Sequence, residues 1–316
     1  MSNFAMIGVG GYVAPRHLQA IRETGHELIA ALDRHDSVGI LDSYFGDVQF
    51  FTEFERFDRH AAKLRRVGEE QRIHYVTVCS PNYLHDAHIR FALRIGADCI
   101  CEKPLVINPW NLDPLAELEA ESGRRVRTIL QLRKHTALLA LRERIAQERP
   151  GGKHAVELTY ITSRGRWYFV SWKGSDEKSG GVATNIGIHL FDLLLWIFGR
   201  PEHCEVHLAD NRRMAGYLEL ERARVRWFLS VDRQDLPTAA VARGQRTCRS
   251  ITVDRQEVEF SEGFTDLHTA VYRDILAGGG CGIADARASI ELVHQIRTHP
   301  VALVRDHAHR WVLGQA

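Results

Sequence analysis

The stretch FAMIGVGGYVAPRH, Phe4 to His17, decides how the rest of the chain is read. Four apolar residues run into Gly8, glycines follow at 10 and 11, and a helical pattern opens at Ala14 with Pro15 in its first turn. Glycine takes positive φ without a Cβ penalty, and proline loses nothing at a helix start, where its missing N–H would have had no partner. Strand, glycine turn and helix in that order make a cradle for a diphosphate. The backbone can approach closely, and the helix N-terminus offers unpaired N–H groups and the positive end of its dipole.

Moving outward, the helix APRHLQAIRETG closes at Gly25, and HELIAALD is a second strand ending on Asp33, twenty-five residues past Gly8. A carboxylate at that strand end accepts hydrogen bonds from both ribose hydroxyls and repels a 2′-phosphate, which favours NAD over NADP. The expected cofactor set begins with Gly8, Gly10, Gly11, Tyr12, Val13 and Asp33. The alternation then continues. IHYVTVCSP is a strand, NYLHDAHIRFALRIG a helix begun at Asn82 and stopped at Gly96, ADCICEKP a strand, NPWNLDPLAELEAESG a helix, and RVRTILQ a further strand. Apolar strands separated by helices of this length imply a doubly wound parallel sheet with both faces covered, here a Rossmann domain over residues 1–128.

Residues 129–316 change character. KHAVELTYITS, YLELERARVRWFLSVD and RSITVDRQEVEFSE alternate as half-buried strands do, with Asp254 to Gln256 as a hairpin connection. They predict an α+β domain on a large open, mostly antiparallel sheet. Two final helical patterns, TDLHTAVYRDILAGGG and IADARASIELVHQIRTH, are expected to pack back on the first domain.

Bulk composition excludes several classes of function. Forty-one Lys+Arg against forty Asp+Glu leave a net charge of +1, so no global field favours nucleic acid or an anionic membrane. With no charged leader and no uninterrupted apolar run of membrane length, the reading is a cytoplasmic protein. The cysteines at 79, 99, 101, 204, 248 and 281 form no C-x-x-C pair and read as reduced, packed thiols. The seventeen histidines suggest no set at zinc spacing, and no metal is expected.

Glu102 and Lys103 stand at one parallel-strand end, and Ser80, Pro81 and Asn82 at another. In a doubly wound sheet, ligands lie beyond these ends. The turn SPNYLH (Ser80 to His85) and the strand end EKP (Glu102 to Pro104), following the glycine turn, resemble the Gfo/Idh/MocA family of nicotinamide-dependent sugar oxidoreductases, over essentially the whole chain. The resemblance implies that Ser80, Asn82, His85, Glu102, Lys103 and Gln131 line the cofactor, and that Lys103, beside a cis peptide, is the active-site lysine. An ammonium near positively charged nicotinamide can polarise or relay the proton of an alcohol.

A second constellation lies in GVATNIGIHLFDLLLWIFG. Asn185, His189 and Asp192 are spaced four and three, which puts them on one face of a helix. Asp192 can then orient the His189 imidazole while Asn185 presents an amide. The segment is similar to the family's D-x-G-x-H-x-x-D motif, in which the histidine is the acid or base. Here Asn185 replaces the first aspartate, which shifts weight to Lys103 and His189.

LTYITSRGRWY, SWKG, GVATNIGIH and EFSEGFTDLH are further similar to the family's WlbA/WbpB subgroup. That likeness implies NAD-dependent oxidation of the 3-hydroxyl of UDP-N-acetylglucosaminuronate, a step toward diacetylated mannosaminuronate of lipopolysaccharide and O-antigen. It also implies 2-oxoglutarate as acceptor for cofactor recycling, and a homotetramer. Such a substrate carries a uronate and a diphosphate, and Arg133, Arg164, Tyr168 and Lys173, with Lys103, Asn185 and His189, are the expected binding set. Guanidinium forks suit carboxylates and phosphates. The rival readings are a dehydrogenase of another nucleotide sugar or a free polyol, and a non-catalytic sensor of NAD.

Overall fold

The first strand, β1 (Asn3–Ile7), is buried along almost its whole length and forms the middle of a six-stranded parallel sheet. Its partners are β2 (Glu27–Leu32) and β4 (Tyr75–Val78). Beyond them lie β3 (Gln49–Phe51) on one side, β5 (Asp98–Cys101) and β6 (Val126–Thr128) on the other. The order 3-2-1-4-5-6 is that of the doubly wound dinucleotide fold. Helices α1 (Ala14–Glu23), α2 (Phe54–Val67), α3 (His85–Arg94) and α4 (Leu112–Ser122) are the crossovers. β3 and α2 have no counterpart in the sequence reading: three residues are too few to show alternation, and α2 buries only Phe57 and Ala61 among charged neighbours.

This computed structural model describes residues 1–36, 38–149, 151–260, 266–304 and 306–314. It divides into two units, residues 1–131 with 265–287 and residues 132–264 with 288–316. The expected boundary at 128 thus lies three residues before the observed one, and the first terminal helical pattern is counted with the first unit. The part of that pattern at Thr265, and Ser261 to Thr265 of EFSEGFTDLH, lie outside the described residues. Phe4, Met6, Leu18, Ile21, Leu28 and Ile100 form the core of the first unit with Val271, Tyr272 and Ile275. Each such side chain contributes roughly 1.5–3 kcal/mol by leaving water.

The second unit contains α5 (Thr136–Gln147), α6 (Arg166–Val170), α7 (Asp176–Ser179), α8 (Ile188–Phe198) and α9 (Thr238–Ala242). Its sheet has the order β12-β11-β7-β10-β9-β8, from β7 (His154–Thr162), β8 (Pro201–Ala209), β9 (Arg213–Leu220), β10 (Ala223–Ser230), β11 (Thr247–Val253) and β12 (Gln256–Glu257). Every pairing is antiparallel except β7 with β10, which is parallel over eight residues. One face carries Trp227, buried edge-on against Phe191 of α8. The other is covered in part by the chain's own C-terminal segment, where His309 and Trp311 stack on Phe228.

Helix α10 (Leu267–Leu276) packs on α1 in the first unit, with Thr269 donating to Glu23 at 2.9 Å. The last helix, α11 (Ile283–Thr298), begins in that unit's residues and ends in the second's. Residues Asp176–Phe198 are the one stretch, among the described residues, long and apolar enough to cross a membrane. Of its apolar window 72% is buried inside the protein, as in a core helix. None of the six cysteines is in a disulfide, and burial pushes the Cys204 thiol up to about 12.

The β11–β12 hairpin turns at Asp254 and Arg255, both at positive φ (52° and 69°). Asp254 is held there by bonds from the Ala155 N–H and His154, whereas Arg255 has no such compensation and is exposed. A non-glycine residue in this region costs about 1–2 kcal/mol, and glycine returns part of that gain as backbone entropy. Arg255→Gly is therefore expected to stabilise the protein by ~0.5–1 kcal/mol, read as a higher urea midpoint with unchanged slope. A lowered midpoint would contradict the account.

Candidate active site

The parallel registers align the carboxyl ends of the first sheet in a row. Ile7 is level with Leu32 and Val78, Val78 with Cys101, and Cys101 with Thr128. One residue further on stand Gly8, Asp33, Cys79, Glu102 and Ile129. The strand order reverses between β1 and β4, the place where a doubly wound sheet opens a crevice for ligand.

Gly8 has φ +87°, and a Cβ there would lie 2.6 Å from the Cys79 carbonyl carbon and oxygen. Only glycine allows β1 to turn this close to the end of β4. The Gly8 N–H donates to Leu32 O at 2.7 Å, and Gly11 N–H to Gly8 O at 3.1 Å, so the turn is tight before Ala14 opens α1. Asp33 closes over it: Oδ2 accepts from Gly10 N–H at 2.8 Å and Oδ1 from His35 N–H at 3.0 Å. Tyr12 is 90% exposed at the tip, and Val13 packs against the core as the helix cap. A diphosphate and ribose fit this cradle. The glycine edge leaves room for backbone approach, and the Asp33 carboxylate is fixed where a ribose diol would donate to it.

Behind the cradle lies a buried polar network. Glu102 Oε1 accepts from His17 Nε2 at 2.8 Å and from His268 Nε2 at 3.2 Å, while Lys103 N–H donates to Oε2 at 3.2 Å. His17 Nδ1 meets the Tyr272 hydroxyl at 2.9 Å, which in turn meets Thr77 Oγ1 at 2.9 Å. Burial opposes the Glu102 charge, but the bonds from the two histidines outweigh it and hold the carboxyl well below its usual range. Burial likewise pushes His17 down, despite Glu102. Glu102 is thus an internal anchor for the backbone of Lys103. The Lys103–Pro104 peptide is cis, and the Lys103 side chain is partly exposed.

His85 makes a similar internal tie. Its Nε2 lies 2.8 Å from Ser80 O and its Nδ1 2.7 Å from Pro104 O, so it braces the SPN turn against the EKP strand end. Burial lowers its pKa, and the two carbonyls offset only part of that. Ser80 and Asn82 are buried at the turn, and Ser80 Oγ meets His88 Nδ1 at 2.8 Å. Gln131 starts a short turn at the end of the first unit's leading segment. These long-range braces left no sequence signal, because histidines and glutamate are joined across 85 and 166 residues.

In the second unit the segment at Ala183–Gly187 is a π-turn that runs into α8, so Asn185 sits on a widened turn. Such turns are rare and favour functional sites. Asn185 and His189 are the partly exposed polar residues on an otherwise mostly buried stretch. The Asn185 amide donates to the Tyr168 hydroxyl at 2.8 Å, and burial raises the pKa of that phenol. Asp192, expected beside His189, accepts a bidentate pair from Arg133 at 2.7 and 2.9 Å in a buried setting. The Arg133 fork thus grips α8, with the Trp196 ring also against the guanidinium. Lys173 lies 4.0 Å from the centre of the Trp172 ring. Arg164 Nε is buried with no acceptor among the described residues.

Known proteins carry the same architecture. Residues 2–129 match the Gfo/Idh/MocA oxidoreductase family's NAD-binding Rossmann fold, and residues 142–233 its C-terminal alpha/beta domain. The chain belongs to this oxidoreductase family, and its cofactor is NAD. A solved structure of the WlbA (WbpB) dehydrogenase from Thermus thermophilus with NAD and alpha-ketoglutarate is 52% identical, covers 98% of this chain and 100% of that one, and has a TM-score of 0.94. Another, with NAD and UDP-GlcNAcA, is 52% identical over 98% and 99%, with a TM-score of 0.93. The Bacillus subtilis protein YteT is 26% identical over 67% of this chain, which spans 50% of that relative's length.

Burial holds His88, behind Ser80, at about 4 instead of its usual 6.5. Between those values the unfolded chain takes up a proton that the folded chain refuses. Stability is full above pH 6.5 and falls as pH drops toward 4, by up to ~1.4 kcal/mol per pH unit. His88→Gln should lose less stability than the wild type between pH 7 and pH 5 in urea titrations. Equal losses would contradict the assignment.

Proposed function

We propose that this protein oxidises the 3-hydroxyl of UDP-N-acetylglucosaminuronate to the 3-keto sugar with NAD, in the route to diacetylated mannosaminuronate of lipopolysaccharide and O-antigen. The observation that carries this is the 52% identity, over 98% of the chain, to a WlbA dehydrogenase holding NAD and UDP-GlcNAcA.

NAD, when bound, supplies the two-electron acceptor for the sugar carbon. The protein's residues do the rest. Gly8, Gly10 and Gly11 admit the diphosphate, and Asp33 receives the ribose hydroxyls. His189, on the face of α8, or Lys103, with its backbone fixed by Glu102, takes the single hydroxyl proton as the C3 carbonyl forms and the hydride passes to NAD. Asn185 orients the sugar beside Tyr168, and the Arg164 Nε–H meets an anionic group of the substrate. Lys173 and its tryptophan neighbours suit a further anion and a flat sugar or uracil face.

Alpha-ketoglutarate in the Thermus relative supports 2-oxoglutarate as the compound that re-oxidises the cofactor, leaving as 2-hydroxyglutarate. On this reading the enzyme works in the cytoplasm, where nucleotide sugars are made, as a homotetramer.

The test is incubation with UDP-N-acetylglucosaminuronate, NAD and 2-oxoglutarate, with the keto sugar and 2-hydroxyglutarate read by mass spectrometry. Both products are expected in equal amount. Lys103→Ala and His189→Ala should each lower turnover by ~100-fold or more while leaving NAD affinity nearly unchanged. Activity confined to free polyols, or undiminished turnover in both variants, would overturn the proposal.

A further inference from the structure

Outside the residues assigned to the candidate active site, strand β8 carries the run His203-Cys204-Glu205-Val206-His207. His203 and His207 stand at H-x-x-x-H spacing, so the expectation that no histidines lie at a metal-binding spacing fails at this run. On a strand, alternate residues share a face, and His203, Glu205 and His207 do. Register shifts on either side of the run, between Pro201 and His203 and between Val206 and Leu208, re-aim these side chains locally.

The fourth member comes from the C-terminal segment that crosses the same face of the sheet. His307 packs against the Tyr217 ring at 4.6 Å, and Tyr217 is the β9 partner of Glu205. Three imidazoles converge on one carboxylate. His203 Nε2 is 2.8 Å from Oε1, and His207 Nε2 and His307 Nε2 are 3.0 and 2.9 Å from Oε2. One ligand atom from each of Glu205, His207 and His307 lies within 4.8 Å of the others.

We propose that Glu205, His207 and His307, with His203 at the rim, form a binding site for a divalent transition-metal ion of the zinc class. Two imidazoles and a carboxylate are a donor set that zinc accepts, with a histidine or water in the fourth place. In a tetrahedron with bonds of ~2.0–2.1 Å, the ligand atoms stand roughly 3.3 Å apart. The observed contacts need to open by only a few tenths of an ångström to admit the ion. His207 is buried, and its Nδ1 has no partner among the described residues, so Glu205 at Nε2 is its one polar contact among them. An ion on Nε2 would fix that ring's tautomer. The consequence is mechanical: the ion would clip the C-terminal segment to the edge strand of the sheet, where Ala302 N–H already bonds Val206 O at 2.7 Å.

The cluster His17, Glu102 and His268 in the first unit has the same residue types, but the Glu102 and His17 partners described above are already mutual and buried, and Lys103 N–H takes the other oxygen. It serves the backbone of the candidate active site and carries no separate proposal.

The test uses the full chain without an affinity tag, stripped with EDTA and equilibrated with Zn2+ alone. Bound metal is read by mass spectrometry, and the melting temperature is followed with and without Zn2+. About one equivalent of tightly held zinc per chain is expected, with a raised melting temperature. Co2+ in its place should give the visible absorption of a four-coordinate site. Glu205→Gln and His307→Ala should weaken zinc binding at least ~10-fold and abolish its effect on melting, while His35→Ala, at an exposed histidine, changes neither. Circular dichroism of the zinc-free variants separates loss of the site from loss of the fold. Wild-type protein that retains less than ~0.1 equivalent, or variants that bind as wild type does, would overturn the proposal.

Discussion

The candidate cofactor site rests on one close approach. β1 can turn against the end of β4 only because residue 8 has no Cβ, since one there would penetrate the Cys79 carbonyl. That contact lets the glycine turn meet the Cys79–Ser80 strand end at the point where the sheet order reverses. Asp33 then finds the Gly10 N–H within 2.8 Å, and the carboxylate is locked over the turn before any ligand arrives. A larger residue at 8 would displace the turn, Asp33 and the SPN corner together.

The other organising element is a buried charge. Placing Glu102 out of water is costly on its own, and the structure offsets this with two imidazoles and a backbone N–H. A carboxylate in such surroundings fixes direction more than it adds stability. It holds the chain just before the cis Lys103–Pro104 bond, and through His17 and Tyr272 it reaches Thr77 on the neighbouring strand. The lysine therefore extends from a backbone whose position is set by contacts from α1, β4 and α10. In the second unit Arg133 does comparable work, tying the turn that follows β6 to Asp192 on α8.

Much of this was legible in the residue order because it depends on local chemistry. The glycine turn, Asp33, SPN and EKP announce themselves within a few residues, and the β11–β12 hairpin does so through Asp254. What could not be read was set by distance. Glu102 bonds histidines 85 and 166 positions away, so its role as an anchor, and that of His85 as a brace, emerge only when the sheet assembles. Asp192 and His189 lie three residues apart on α8, as their spacing says, and the bidentate pair from Arg133, on another element, could not be read from that spacing. β3 and α2 were missed for the opposite reason: the local pattern is real but too short, or too crowded with charge, to stand out.

The central claim is that the Gly8 turn and the fixed Asp33 carboxylate make a site for a dinucleotide with a free ribose diol. Calorimetric titration of the same protein with NAD and with NADP tests it most directly. A 2′-phosphate would be driven against a carboxylate already held by Gly10 and His35, so the account predicts NAD binding at least ~10-fold tighter than NADP. Equal affinities, or a preference for NADP, would contradict it.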